Sequence, residues 1–162
     1  MTKNIVNIAE VELRPRPPEY AATGPAAQRF DARVGAIGKR IGAKKLGYNI
    51  TAVPPGKRAY PFHNHHANEE MFYVIEGTSE VRIGKETCPI RPGDVIACPP
   101  GGQELAHQIV NTGTSELKYL AVSTMEAPDV CEYPDSGKLA VWGSALRYVA
   151  PLGQQTGYWD GE

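Results

Sequence analysis

The 162-residue chain carries 17 Lys+Arg against 18 Asp+Glu, a net charge of −1, which excludes the basic footprint of a nucleic-acid-binding or membrane-surface protein. Its length corresponds to one domain of the usual size of about 100–200 residues, and no apolar stretch reaches the roughly 18 residues of a membrane span. Seventeen Gly and 14 Pro without low complexity imply many short strands joined by turns. Met1–Glu10 has neither the apolar centre nor the small-residue cleavage site of a signal peptide. Residues 1–44 show no sustained periodicity. Arg14-Pro-Arg-Pro-Pro18 cannot continue a helix, because Pro lacks the amide donor and biases its predecessor toward extended backbone. Ala26–Phe30 supports one helical turn at most, so the segment is expected to be an N-terminal arm packed on a main domain of residues 45–162.

From Lys45 onward a period of two emerges. Leu46, Tyr48, Ile50 and Ala52 share one strand face, stopped by Pro54-Pro55-Gly56. Further strands are expected over Arg58–His65, Glu70–Ile75, Glu80–Ile83, Asp94–Ala97, Leu105–Asn111, Glu116–Thr124, Val130–Tyr133 and Lys138–Trp142. Turn signals separate most of them, among them Ile83-Gly-Lys, Arg91-Pro-Gly-Asp and Pro99-Pro-Gly-Gly. Short strands at such spacing predict an all-β sandwich or barrel. The odd, widely spaced set Cys88, Cys98 and Cys131 reads as reduced thiols of a cytoplasmic protein.

Three of the four histidines sit in Phe62-His-Asn-His-His66. On an extended strand His63 and His65 project to one face and His66 to the other. A carboxylate follows in Asn68-Glu-Glu-Met, where the pattern leaves Glu69 and Glu70 open, and the fourth imidazole is His107. Three imidazoles and one carboxylate suit a transition metal better than Mg or Ca, which prefer oxygen ligands.

At this point the chain resembles the cupin family. Gly56, His63-x-His65, Glu70 and Gly77 follow the first cupin motif, and Gly93, Pro99-x-Gly101, His107 and Asn111 follow the second. Two loops are longer than the motif: six residues separate Gly56 from His63, and five separate Gly101 from His107. The resemblance selects Glu70 over Glu69. It implies a jelly-roll barrel, or double-stranded β-helix, holding one divalent transition metal (Mn, Fe, Zn, Ni or Co) on His63, His65, Glu70 and His107, with Asn111 as a helper. Open metal positions would face a small-molecule substrate. The expected activity is isomerisation of a small carbohydrate or sugar phosphate, with Lys57 and Arg58 gripping the phosphate and Tyr73 as a further substrate contact. An iron-dependent dioxygenase and a non-catalytic small-molecule-binding cupin are the competing readings. Because open sheet edges need cover, a homodimer is expected in which the arm or an edge strand crosses to the partner.

Overall fold

The strand read from Leu46 to Ala52 is present as Leu46–Val53 and lies inside a sheet rather than at its edge. In the computed structural model, which describes residues 4–153 and 156–162, thirteen strands follow in chain order. They are β1 (Arg14–Pro15), β2 (Arg33–Ala36), β3 (Leu46–Val53), β4 (Asn64–His65), β5 (Glu70–Glu76), β6 (Ser79–Ile83) and β7 (Glu86–Ile90), then β8 (Val95–Cys98), β9 (His107–Val110), β10 (Leu117–Thr124), β11 (Asp129–Tyr133), β12 (Lys138–Trp142) and β13 (Arg147–Pro151). The only α-helix among the described residues is the single turn α1 (Gly38–Ile41), and no helix there is long and apolar enough to cross a membrane. The fold is an all-β jelly roll.

Three sheets form the barrel, in the orders β1-β2-β3-β10-β5-β8, β13-β12-β11-β4 and β7-β6-β9. The inner faces close over a core that includes Val53, Phe72, Val74, Val81, Ile96, Ile109, Leu117 and Tyr119. Tyr119, 1% exposed, meets Phe72 edge-to-face at 5.6 Å, a geometry that adds to simple burial. Ile50 and Ala52 are buried outside this cluster, on the strand face opposite Thr51 and Val53, and α1 packs against the same strand. The apolar alternation that revealed β3 therefore belongs largely to the face away from the barrel core.

The arm is more regular than its sequence implies. Arg33–Ala36 pairs with β3 of its own chain, and Arg14–Pro15 pairs with β2 in turn, so the arm extends and caps the sheet. The expected strand Arg58–His65 shrinks to Asn64–His65, because Arg58 is held by isolated bridges to Phe30 and Val110 while Pro61 supplies no amide to a ladder. β7 escaped notice because its first four residues are exposed and do not alternate; Pro89 is tolerated there since β7 is an edge strand. β13 lies likewise at a sheet edge, with mostly exposed residues.

Two motif residues have structural roles. Gly77 has φ +83°, and a Cβ there would stand 2.7 Å from the Glu116 carbonyl oxygen, so both the turn and the close approach require glycine. Asn111 is fully buried; its Nδ2 donates to the Val53 and Ser115 carbonyls at 2.8 and 2.9 Å, and its Oδ1 accepts from the Gly113 amide at 3.0 Å. Asn111→Ala strands these three groups. With an unmet buried polar group costing about 1–3 kcal/mol, the variant should lose about 3 kcal/mol or more in urea unfolding, while its metal content stays that of the wild type.

Candidate metal centre

Three separate chain segments deliver the cluster: His63–His65, the start of β5 at Glu70 and the start of β9 at His107. His63 and His107 face each other across an antiparallel bridge, the His63 amide donating to the His107 carbonyl at 3.2 Å and the His107 amide to the His63 carbonyl at 2.7 Å. His65 stands opposite Cys131 in the β4–β11 pairing, and Glu70 opens β5 between Cys98 and Ser123. The strand period then aims all four side chains inward.

Their donor atoms converge on one oxygen. Glu70 Oε2 lies 3.0 Å from His107 Nε2, 3.3 Å from His65 Nε2 and 3.6 Å from His63 Nε2. Ligands about 2.1 Å from a shared ion sit about 3.0 Å apart at right angles and about 3.4 Å apart at tetrahedral angles. The spacing fits a transition ion, and the donor set of three imidazole nitrogens and one carboxylate oxygen fits the same class. His63, Glu70 and His107 also hold their ligand atoms within 4.8 Å of one another.

The remaining ring nitrogens orient two of the imidazoles. His63 Nδ1 donates to the Pro61 carbonyl at 2.8 Å, and His65 Nδ1 donates to Asp129 Oδ2 at 2.5 Å. Each bond keeps the proton on Nδ1 and turns Nε2 toward Glu70, the arrangement by which a carboxylate or carbonyl prepares a histidine for a metal. His107 Nδ1 is buried and finds no partner among the described residues; its ring packs 5.7 Å from Phe72.

The electrostatics follow from this crowding. Burial alone would depress His65, but its bonds to Cys131, Glu70 and Asp129 prevail and push it up to about 11. Burial likewise works against the Glu70 carboxylate, yet the three imidazoles hold it well below the usual range. Asp129 is shifted the same way, its burial outweighed by His65, Asn68 and the Ala67 amide. Burial pushes the Cys98 thiol up to about 12, helped by Glu70, and raises Cys131 too; both are packed thiols rather than nucleophiles. Tyr133 stacks on His63 at 6.1 Å, and burial, then the neighbouring Cys131, lifts its hydroxyl to about 12.

The sequence-predicted residues divide cleanly. The structure brings His63, His65, Glu70 and His107 together and turns His66 outward to Glu132 at 2.7 Å. Lys57, Arg58 and Tyr73 make no hydrogen bond or ion pair with the cluster among the described residues. Lys57 Nζ donates to the Gln28 carbonyl at 2.7 Å, and Arg58 lies against Phe30, because the chain after Gly56 runs beneath the arm instead of entering a strand. Tyr73, 40% exposed, is one residue out of step with Glu70, Phe72 and Val74 and projects outward. Asp129, Cys131 and Tyr133 were missed. Their shared parity on β11 was visible in the sequence, but nothing there shows that β11 lies beside β4.

Residues 49–123 match the cupin domain family. This chain carries a cupin domain. The matched span includes every residue of both motifs. An oxalate-binding protein of Thermotoga maritima is 33% identical over 70 residues, 43% of this chain and 54% of its own; the cupin thus matches about half the length of that relative. A crystal structure assigned as a sugar phosphate isomerase from Acidithiobacillus ferrooxidans superposes with a TM-score of 0.82 at 24% identity, covering 95% of this chain and 96% of its own. A sugar phosphate isomerase of the cupin superfamily from Silicibacter pomeroyi gives a TM-score of 0.79 at 21% identity, covering 91% and 92%. At those identities the two structures establish the shared fold.

Proposed function

We propose that this cupin is a cytoplasmic, homodimeric, metal-dependent isomerase of a small carbohydrate or sugar phosphate, with His63, His65, Glu70 and His107 as the ligands of one divalent transition metal. The observation that carries the metal assignment is the convergence of three Nε2 atoms on Glu70 Oε2 at 3.0–3.6 Å. The reaction class is drawn from the isomerase names borne by two structures that share nearly the whole chain.

A bound metal supplies Lewis acidity, polarising a carbonyl and the hydroxyl beside it and so acidifying the C–H between them. The protein contributes position and charge. Glu70 offsets the cation, and Asp129 keeps His65 turned so that its Nε2 faces inward. Tyr133, with its hydroxyl held protonated beside His63, donates a hydrogen bond to a substrate oxygen and stabilises negative charge developing there.

Similarity to the oxalate-binding protein favours a second reading, in which a small dicarboxylate occupies the open metal positions without turnover. Proton exchange at C2 of aldose and ketose phosphates in heavy water separates the two. Manganese-, iron- or zinc-loaded protein should wash deuterium into at least one substrate, and Tyr133→Phe should slow that exchange with little change in metal content. Saturable oxalate binding with no exchange in any sugar would replace isomerisation by binding. Oxygen uptake by the iron form would assign a dioxygenase instead.

A further inference from the structure

A cavity of about 580 Å³ lies beneath the arm, within the range of small-molecule sites. It is distinct from the histidine cluster: Phe62 and Gln108 line it, whereas their chain neighbours His63 and His107 face Glu70. Arg16, Arg29, Arg58 and Lys138 line it against two carboxylates, Asp31 and Asp135. Asp135 is already held by both of its oxygens on Arg82, each at 3.0 Å. Among the described residues none of the four cations forms an ion pair. Asp31 is then the one lining carboxylate left against four cations, so the cavity carries excess positive charge that no ion pair among the described residues offsets.

Arg58 sharpens the point. Its Nε is shielded from solvent and has no hydrogen-bond partner among the described residues. Its guanidinium and that of Arg29 lie 5.8 and 5.6 Å from the centre of the same Phe30 ring. Two like charges drawn to one ring, one with a buried unmet donor, are an arrangement that stability alone disfavours. An anion accepting from both would satisfy the donor and neutralise the pair. Phe30, Phe62 and the arm's alanines supply an apolar remainder.

We propose that the arm cavity binds a small organic anion, a phosphate or carboxylate on an apolar body of aryl size, with Arg29 and Arg58 on the anionic group. The site is independent of the metal reading and survives its failure.

The test titrates wild-type protein with phenyl phosphate, benzoate and the uncharged benzyl alcohol, by calorimetry and by amide chemical shifts. Phenyl phosphate or benzoate should bind saturably at millimolar concentration or below, shifting amides of Phe30, Arg58 and Gln108, and benzyl alcohol should not. Arg29→Gln with Arg58→Met should weaken that binding about ten-fold or more, with metal content unchanged. Arg58→Met alone should match or exceed the wild-type melting temperature, since the aliphatic stem stays and the unmet donor goes. A lower melting temperature together with unaltered anion binding would make Arg58 a structural residue and overturn the site. Binding lost in His63→Ala/His65→Ala but kept in the arginine variant would place the anion at the histidines and overturn it equally. So would the absence of saturable binding by either anion, or a change of oligomeric state in the arginine variant without a change in anion affinity.

Discussion

Glu70→Gln is expected to lower metal affinity at least about 100-fold while leaving the barrel folded. Changing the groups that merely support a metal ligand costs about 10–100-fold, and Glu70 stands closer to the chemistry than any supporting group. Its Oε2 is within 3.6 Å of all three imidazole Nε2 atoms, and it is the single carboxylate they share. The amide keeps the shape and loses the charge that offsets a divalent cation. Elemental analysis of purified protein, followed by competition against a chelator, measures the loss. Circular dichroism should be unchanged, because the core of Phe72, Val74 and Tyr119 does not depend on that charge. Full metal occupancy in Glu70→Gln, surviving chelator as the wild type does, would remove Glu70 from the ligand set.

The second large effect is in pH. Unperturbed histidines would set a threshold for metal uptake near pH 6.5. His65 departs from that value because, against the cost of burial, its bonds to Cys131, Glu70 and Asp129 raise it to about 11. Metal-free protein at neutral pH is therefore expected to hold His65 as an imidazolium, whose proton a metal must displace. Affinity should then climb about ten-fold per pH unit through the neutral range, with close to one proton released per metal. Calorimetry in buffers of different ionisation enthalpy reads the proton directly. The sign of the stability effect follows. A raised histidine stabilises the metal-free fold fully below its unfolded value of 6.5, and that contribution is lost as pH rises toward about 11. Glu70, lowered well below 4.5, contributes above that value and fails only as acid protonates it. Asp129→Asn removes the smallest of the three influences that raise His65, after Cys131 and Glu70, so proton release should fall only in part, while loss of the Nδ1 partner should weaken metal binding about 10–100-fold. Unchanged proton release in that variant would show that Asp129 does not set the state of His65.

The sequence by itself determined the fold class and, through its resemblance to the cupin motifs, the family and the candidate ligands His63, His65, Glu70 and His107. Those are local properties: the period of two over Leu46–Ala52, the glycines and prolines between strands, and the spacing of His63, His65, Glu70 and Gly77 within one hairpin's length of chain. His107 was reachable because its own motif, Gly93 to Asn111, marks it independently. Only the tertiary structure decided what surrounds them. Asp129 reaches His65 across 64 positions because β11 pairs with β4, and no local pattern encodes which strand lies beside which. Among the described residues Tyr73 and Arg58 make no hydrogen bond or ion pair with the histidine cluster, for the same kind of reason. A one-residue offset turns a strand side chain to the opposite face, and an interrupted strand such as Arg58–Phe62 obeys no alternation. The arm showed the same limit: residues 33–36 carry too short a pattern to read, yet they become a strand once β3 offers the unmet hydrogen bonds of its edge.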